Sequence, residues 1–217
     1  MNRLTFQAFD GKQISYVEWS VDEPKAVVLI AHGMCEHIMR YERIAESLNN
    51  AGYLAIGDDH RGHGSTDEET FGYSDGDMYH DTLKDMAMLC KIYKEKYPDL
   101  KIILFSHSYG SFLSQRFIEE YNEYLDGVIL GGSANMKGAL PVLGGIVASI
   151  GCTFKGKNKP ARLLHNMTFE TYKKQLGLDS FISTIESEAK RYEDDDRCGF
   201  VCSYNFYRCF FKGLREI

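Results

Sequence analysis

No apolar run in this 217-residue sequence approaches the roughly 20 residues that a bilayer-crossing helix needs. The opening stretch "MNRLTFQAFDGKQISYVEW" alternates like a strand and lacks the apolar core of a secretion signal, so a cytoplasmic protein without stable membrane insertion is expected. Basic residues are in the minority, with 25 Lys and Arg against 31 Asp and Glu and a formal net charge of −6. Nucleic-acid affinity rests on cations that neutralise phosphates, so that class of partner is not expected. The six cysteines include no CxxC pair, and the late trio Cys198, Cys202 and Cys209 has no histidine nearby. Neither a metal site nor a disulfide framework follows from such spacing, and reduced thiols are expected. No cofactor is expected either.

What is present is an alternation of buried strands and amphipathic helices. Leu4 to Phe9 and Gln13 to Trp19 are rich in β-branched and aromatic residues, and the "DGK" between them is hairpin chemistry. "KAVVLIAHGM" is a continuous apolar run, too short for a buried helix and suited to a strand covered on both faces. "YERIAESLNNAG" comes next, with Ile44, Ala45, Leu48 and Ala51 at helical spacing and Gly52 as its cap. "YLAIGDD" reads as the next central strand. From His80 to Tyr97 the residues Leu83, Met86, Cys90, Tyr93 and Tyr97 make one apolar stripe, and Pro98 stops the helix. "KIILF", "GSFLSQRFIEEY" and "LDGVILGGS" then read as strand, helix and a fourth buried strand.

This succession predicts an α/β fold with a doubly wound, mostly parallel sheet. After Ser133 the pattern changes. Residues 134–210 are glycine-rich, then helical and polar, and are expected to form a mainly helical cap. Residues 1–133 are then the core, and 211–217 the start of a return to it.

Between the "KIILF" strand and its helix lies "SHSYG", which places Ser108 on a strand-to-helix turn. A GxSxG turn in that context lifts a serine oxygen clear of the sheet at the helix amino end. Gly110 permits close approach of strand and helix. Ser106 stands where the other glycine is expected, so the motif here is SxSxG. Read alone, the pentapeptide also fits a polar strand end with a capping serine.

"AHGMCEH" after the first central strand and "DDHRGHGST" after the next resemble the HGxxxH and DHxGHGxS loops of α/β-hydrolases. Together with "SHSYG" they are similar to the monoacylglycerol lipase and lysophospholipase branch of that family, and "YEDDDRCGFVCSYNFY" is similar to the cap end of its bacterial members. The resemblance implies a serine hydrolase of lipid-like esters that works through an acyl-enzyme on Ser108. It implies oxyanion donors at the backbone N–H groups of Met34 and Tyr109, with Gly33, Met34 and His107 beside the substrate.

His32, His37, His60 and His63 could be imagined as metal ligands, but they lack suitably spaced carboxylates. His60 and His63 are expected to hold their loop, and His107 to pack beneath the turn. The resemblance also places the triad acid and histidine after the cap, on further strands beyond "FKGLREI", and neither is found in this chain. After Ser108 the chain offers His165 and the acids Asp179, Asp194, Asp195 and Asp196, all in cap-like sequence. Two alternatives stay open: a proline-type aminopeptidase whose cap acids grip an amine, and a catalytically inactive binding module. A sheet that ends early exposes an apolar edge, which leads to an expectation of a homodimer or of pairing with a missing C-terminal segment.

Overall fold

A computed structural model of the chain describes residues 1–170, 173–174, 177, 180 and 182–217. Six strands form one sheet: β1 (Asn2–Gln7), β2 (Gln13–Trp19), β3 (Val27–Ala31), β4 (Leu54–Asp58), β5 (Ile102–His107) and β6 (Gly127–Gly131). Their spatial order is β1-β2-β4-β3-β5-β6. The hairpin β1–β2 joins β4 antiparallel, and β4, β3, β5 and β6 run parallel. The expected doubly wound sheet is therefore present.

Chain order and spatial order part company at β3. The chain leaves β3 through α1 (Glu42–Asn50) to β4 on one side, then crosses through α2 (Met78–Lys96) to β5 on the other. A crevice opens outside the carboxyl ends of strands at such a reversal, which is where open α/β sheets bind ligands. The loops after β3 and β5 meet there.

The covering helices obey the sequence pattern in part. In α2 the stripe Leu83, Met86, Cys90 and Tyr93 is buried as its spacing requires, and Asp77 caps the helix by accepting from the His80 N–H. In α1 only Ala45 is buried, and Ile44 of the expected stripe faces solvent. Leu48 of the stripe is half-buried against the same apolar cluster as Ala45, so the helix is seated by these two residues. The strand expected to be a fourth buried one, β6, is the sheet edge, with Ile129 and Leu130 exposed. Its apolar run reflects an uncovered face, which periodicity alone does not distinguish from a covered one.

Beyond β6 come α4 (Ala139–Phe154), α5 (Arg162–Thr168), α6 (Glu186–Glu193) and α7 (Tyr204–Gly213), with α3 (Tyr109–Glu120) standing between β5 and β6. Among the described residues of "DSFISTIESEAKRYEDDD" the helix is α6, and Asp179 and Phe181 of that stretch lie outside the described residues. Helix α7 carries Phe206, Tyr207 and Phe210 into the same apolar cluster as β3, β5 and α2. Helix α4 packs on α7 through its glycines: a β-carbon on Gly151 would lie 2.1 Å from the Tyr204 ring. The other face of α4 leaves Leu140, Leu143, Ile146, Ile150 and Phe154 exposed.

The loop after β4 is held by buried polar groups. Asp59 accepts from the backbone N–H groups of Ile38 (2.9 Å) and Ser65 (2.9 Å) and from Arg3 (2.6 Å). Arg61 is buried in a fork with Asp85 (2.6 and 3.0 Å) and Asp10 (2.5 and 3.1 Å). Such a fork is stable because both charged planes are matched and hydrogen-bonded.

Three buried imidazoles tie this loop to the one after β3. His32 Nε2 accepts from the His60 N–H (3.0 Å), leaving Nδ1 to donate to the Gly33 carbonyl (2.8 Å). His63 Nε2 accepts from the Cys35 N–H (3.2 Å), leaving Nδ1 to donate to the Arg61 carbonyl (3.0 Å). The rings of His32 and His60 stack at 4.0 Å. A neutral imidazole offers one donor and one acceptor at fixed angles, which is what two facing backbone groups need. The expected loop-holding role of His60 and His63 is what the structure shows.

Burial pushes His63 down to about 3 and His32 well below its ordinary value, with the neighbouring imidazoles adding to the shift of His32. The unfolded chain protonates such groups near pH 6.5, so below that point it binds more protons than the folded one and stability is lost as the pH is lowered. Asp85, pushed up to about 6 by burial, works in the opposite sense. Urea unfolding of the native chain and of His63→Asn at about pH 7.5 and about pH 5 separates these contributions, the variant losing about 2 kcal/mol less stability on acidification. Equal losses in both would contradict a neutral His63. Separately, Gly151→Ala is expected to lower the stability of the α4–α7 contact by roughly 1–3 kcal/mol, read by the same unfolding measurement, because the Tyr204 ring must move.

Candidate active site

Ser108 sits between β5 and α3 with φ 50° and ψ −117°, a conformation sparsely populated by residues other than glycine. Hydrogen bonds hold it on both sides. Its N–H donates to the Gly131 carbonyl (2.9 Å), and its carbonyl accepts from the Ser111 N–H (2.8 Å) and Ser111 Oγ (2.7 Å). Gly110 is where the turn presses on the sheet: a β-carbon there would lie 2.2 Å from the Ala31 carbonyl oxygen. Ser106, in place of the expected glycine, is buried and donates its hydroxyl to the Ile129 carbonyl (3.1 Å). The substitution of serine for glycine thus adds a tie between β5 and β6.

The Ser108 side chain is half-buried, and its Oγ has no hydrogen-bond partner among the described residues. Tyr109 behind it is buried, its ring lying parallel to that of His63 and 5.0 Å from Phe206. The elbow therefore rests on the imidazole brace and on α7.

The structure brings the other sequence candidates to the same place. A β-carbon on Gly33 would lie 3.5 Å from His107 Nδ1, and one on Gly132 would lie 3.4 Å from both His107 Nε2 and the Ser108 nitrogen. The loop after β3, the end of β5 and the loop after β6 thus converge on one spot. The Gly33 N–H donates to Glu36 (2.6 Å), whose carboxylate also receives Tyr41 Oη (2.8 Å). The N–H groups of Met34 and Tyr109 find no acceptor among the described residues. His107 departs from expectation: it is exposed at the strand end, not packed beneath the turn. The β5 pleat turns residue 107 away from the buried face that Ser106 occupies.

Sequence reasoning passes over Glu36, Gly132 and Cys35. Glu36 stands in plain view within "HGMCEH", but its partner Gly33 is a backbone group that no residue pattern displays. Cys35, at φ 58°, is buried with its thiol 3.6 Å from that of Cys202. Burial raises the Cys35 thiol, and hydrogen bonds with Cys202 and His165 outweigh it, holding the group below its ordinary range. All six cysteines are free. The Cys35 carbonyl accepts from the Gly199 N–H (3.0 Å) and Tyr192 Oη (2.9 Å), so α6 and the segment after it are fastened to this loop.

His165, the histidine that comes after Ser108 in sequence, is thus engaged with Cys35. Asp195 pairs with His37 (2.8 Å), and Asp194 pairs with Lys190 (3.0 Å). Asp179 lies outside the described residues. No acid–histidine pair addresses Ser108 among the described residues. No described helix is long and apolar enough to cross a membrane.

Comparison with known proteins bears on this geometry. The family model described as serine aminopeptidase, S33, matches residues 22–217. A monoacylglycerol lipase of Mycolicibacterium smegmatis is 31% identical over 150 residues, which cover 68% of this chain and 52% of that protein. The mouse monoglyceride lipase is 30% identical over 122 residues, 56% of this chain and 39% of that one. The chain therefore matches about half or less of the length of these relatives. Among solved structures, a thermostable carboxyl esterase from Bacillus coagulans superposes with a TM-score of 0.83 at 25% identity, over 98% of this chain and 72% of that one. A monoglyceride lipase variant from Saccharomyces cerevisiae shares the fold with a TM-score of 0.73 at 17% identity, over 98% of this chain and 68% of that one. With the strand order, the strained serine turn and the match over residues 22–217 in agreement, the chain belongs to the serine aminopeptidase S33 family of α/β-hydrolases.

Proposed function

We propose that this chain carries the nucleophile half of a carboxylic ester hydrolase that acts on monoacylglycerol or lysophospholipid. The observation that carries the proposal is the pair of unengaged N–H groups, at Met34 and Tyr109, on the loops flanking the half-buried Ser108 hydroxyl. In this reading Ser108 Oγ attacks the ester carbonyl and the carbonyl oxygen becomes an anion. The two N–H groups receive that anion, and the amino end of α3 adds a field of the right sign. Collapse of the tetrahedral centre expels the glycerol-bearing alcohol and leaves an acyl-serine, which water clears. A general base must take the serine proton and return it to the alcohol. We assign that role to no described residue.

Two features support a lipid ester over a peptide. The relatives include monoacylglycerol lipases, and the cap region proposed for residues 134–210 contributes α4, whose exposed leucines and isoleucines can cover an acyl chain. The aminopeptidase alternative needs a cap carboxylate to grip an amine; of Asp194 to Asp196, Asp195 is engaged by His37 and Arg197 and Asp194 by Lys190, which leaves Asp196 for that role. Gly33 and His107 border the entry. The open edge of β6 is where a further strand, from this protein or from a second copy, would add.

The test is fluorophosphonate labelling of the full-length protein, then turnover of a monoacylglycerol, a lysophospholipid and a prolyl amide. Labelling is expected at Ser108 alone, and Ser108→Ala is expected to abolish it and to lower ester turnover by roughly 10⁴-fold or more. Labelling elsewhere, or none, favours the binding-module alternative. Faster turnover of the amide than of either ester overturns the lipid reading while leaving the nucleophile in place.

A further inference from the structure

Away from the serine, one cluster among the described residues has the chemistry of a metal site. His37, Asp195 and Cys198 place a ring nitrogen, a carboxylate oxygen and a thiol sulfur within 4.8 Å of one another. The three come from two separate parts of the chain. His37 ends the loop after β3, and Asp195 and Cys198 belong to the turn after α6, which is closed by a hydrogen bond from the Cys198 N–H to the Asp195 carbonyl (2.8 Å). The cysteine trio expected to be the nearest approach to a metal site is dispersed: Cys202 meets Cys35, and Cys209 lies against Gly76 and Asn205. Only Cys198 of the three joins a donor set, and its histidine is 161 residues earlier, beyond the reach of any spacing rule.

The geometry points to a site for a borderline-soft divalent cation, zinc in the first instance, held by His37, Asp195 and Cys198 with water completing the shell.

Four observations carry this assignment. The His37 side chain is 3% exposed, and its ring is already aligned on Asp195 through Nε2 at 2.8 Å. Its Nδ1, on the side of the ring away from Asp195, is buried with no partner among the described residues, so Nε2 is the nitrogen that a cation here would take. Tetrahedral zinc with nitrogen, oxygen and sulfur ligands spaces them by about 3.2–3.7 Å, so the cluster needs shifts of about 1 Å or less. Mixed imidazole, thiolate and carboxylate donors suit zinc or cobalt and do not suit magnesium or calcium, which take oxygen.

The surroundings allow entry and balance the charge. A depression open to solvent has His37, Arg40, Asp194, Asp195, Asp196 and Arg197 in its lining, so it reaches two of the three ligands, with Cys198 outside it. The lining of that depression carries the carboxylates of Glu42, Asp194, Asp195 and Asp196 and the guanidinium groups of Arg40, Arg191 and Arg197, and Arg40 also faces Glu36 at 3.7 Å. Arg197 contacts the other oxygen of Asp195, with its N–H at 3.0 Å and its Nε at 3.5 Å, and leaves Oδ2 to the ring. Bound zinc would clamp the loop that carries the Met34 N–H to the segment after α6. The proposal stands apart from the chemistry assigned to Ser108.

Metal-stripped full-length protein, titrated with Zn²⁺ by calorimetry and with Co²⁺ by absorption, tests it. One equivalent of Zn²⁺ is expected to bind, and Co²⁺ is expected to develop a thiolate-to-cobalt charge-transfer band. Cys198→Ser should abolish the band, and Cys198→Ser and Asp195→Asn should each weaken Zn²⁺ binding by roughly tenfold or more, while Cys202→Ser changes neither. Should a variant fail to fold, alkylation mapping on the unaltered chain decides: Zn²⁺ is expected to protect Cys198 from iodoacetamide. Absence of stoichiometric binding, a band that survives Cys198→Ser, or no protection of Cys198 overturns the site and leaves an Asp–His ion pair beside a thiol. Fluorophosphonate labelling of Ser108 in the metal-stripped protein reports separately on the nucleophile reading.

Discussion

The contact that organises this molecule is the one between Gly110 and the carbonyl of Ala31. A helix that begins one residue after a strand must leave the sheet steeply, and it can do so only if its first turn lies directly against the neighbouring strand. Gly110 permits this because it puts no atom where the Ala31 oxygen stands, 2.2 Å from where a β-carbon would be. The cost appears at Ser108, whose φ of 50° belongs to a conformation disfavoured by about 1–3 kcal/mol. Three hydrogen bonds around the turn, to Gly131 and from Ser111, are each worth about 0.5–1.5 kcal/mol and offset it. Position 108 is therefore held as firmly as a core residue while its hydroxyl remains half-exposed.

Much of this is legible in the sequence, and the exceptions share a physical cause. Strands β3, β4 and β5 are apolar on both faces because helices cover both, so their runs are continuous and easily seen. The elbow can be found because a small residue is compulsory at 110 and a strand precedes it. Side-chain patterns do not report which way an element faces once it leaves the centre. Ile44 satisfies helical spacing and still faces water, and β6 has a core-like composition and lies at the edge. The exposure of His107 escapes the pattern for a similar reason: a residue next to a buried turn is not itself buried when the strand pleat alternates. Glu36, Cys35 and the donor set around His37 depend on contacts with backbone groups or with residues far along the chain, which composition and spacing do not encode.

The loop after β3 is fixed from two directions. Beneath it, His32 and His63 engage the backbone at Gly33, Cys35, His60 and Arg61. From the side, α6 reaches it through Tyr192, and the segment after α6 through Asp195 and Gly199. Neither set of contacts touches the Met34 N–H, which sits between them. A donor needs this arrangement if it is to meet a transient anion without rearranging, because preorganisation is what makes a fixed dipole more effective than water. Movement of α6 and the segment after it would be transmitted to the loop through three direct hydrogen bonds.

The seven histidines show how far architecture, not chemistry, consumes a reactive side chain here. His32, His60 and His63 are fully buried, and burial keeps His32 and His63 neutral. His37 pairs with Asp195, His80 with Glu216 at 2.6 Å, and His165 lies on the Cys35 thiol. A base for Ser108 must have a nitrogen free to accept, and both ring nitrogens of His32 and of His63 are engaged with backbone groups, while His60 is held by Asp58 through Nδ1. Charging His32 or His63 would turn an acceptor nitrogen into a donor facing another N–H, breaking the brace that positions the loop. His32 and His63 brace the loop after β3 in their neutral form, so the same burial that suits them to position the Met34 N–H in the proposed reaction sets them against proton transfer in it.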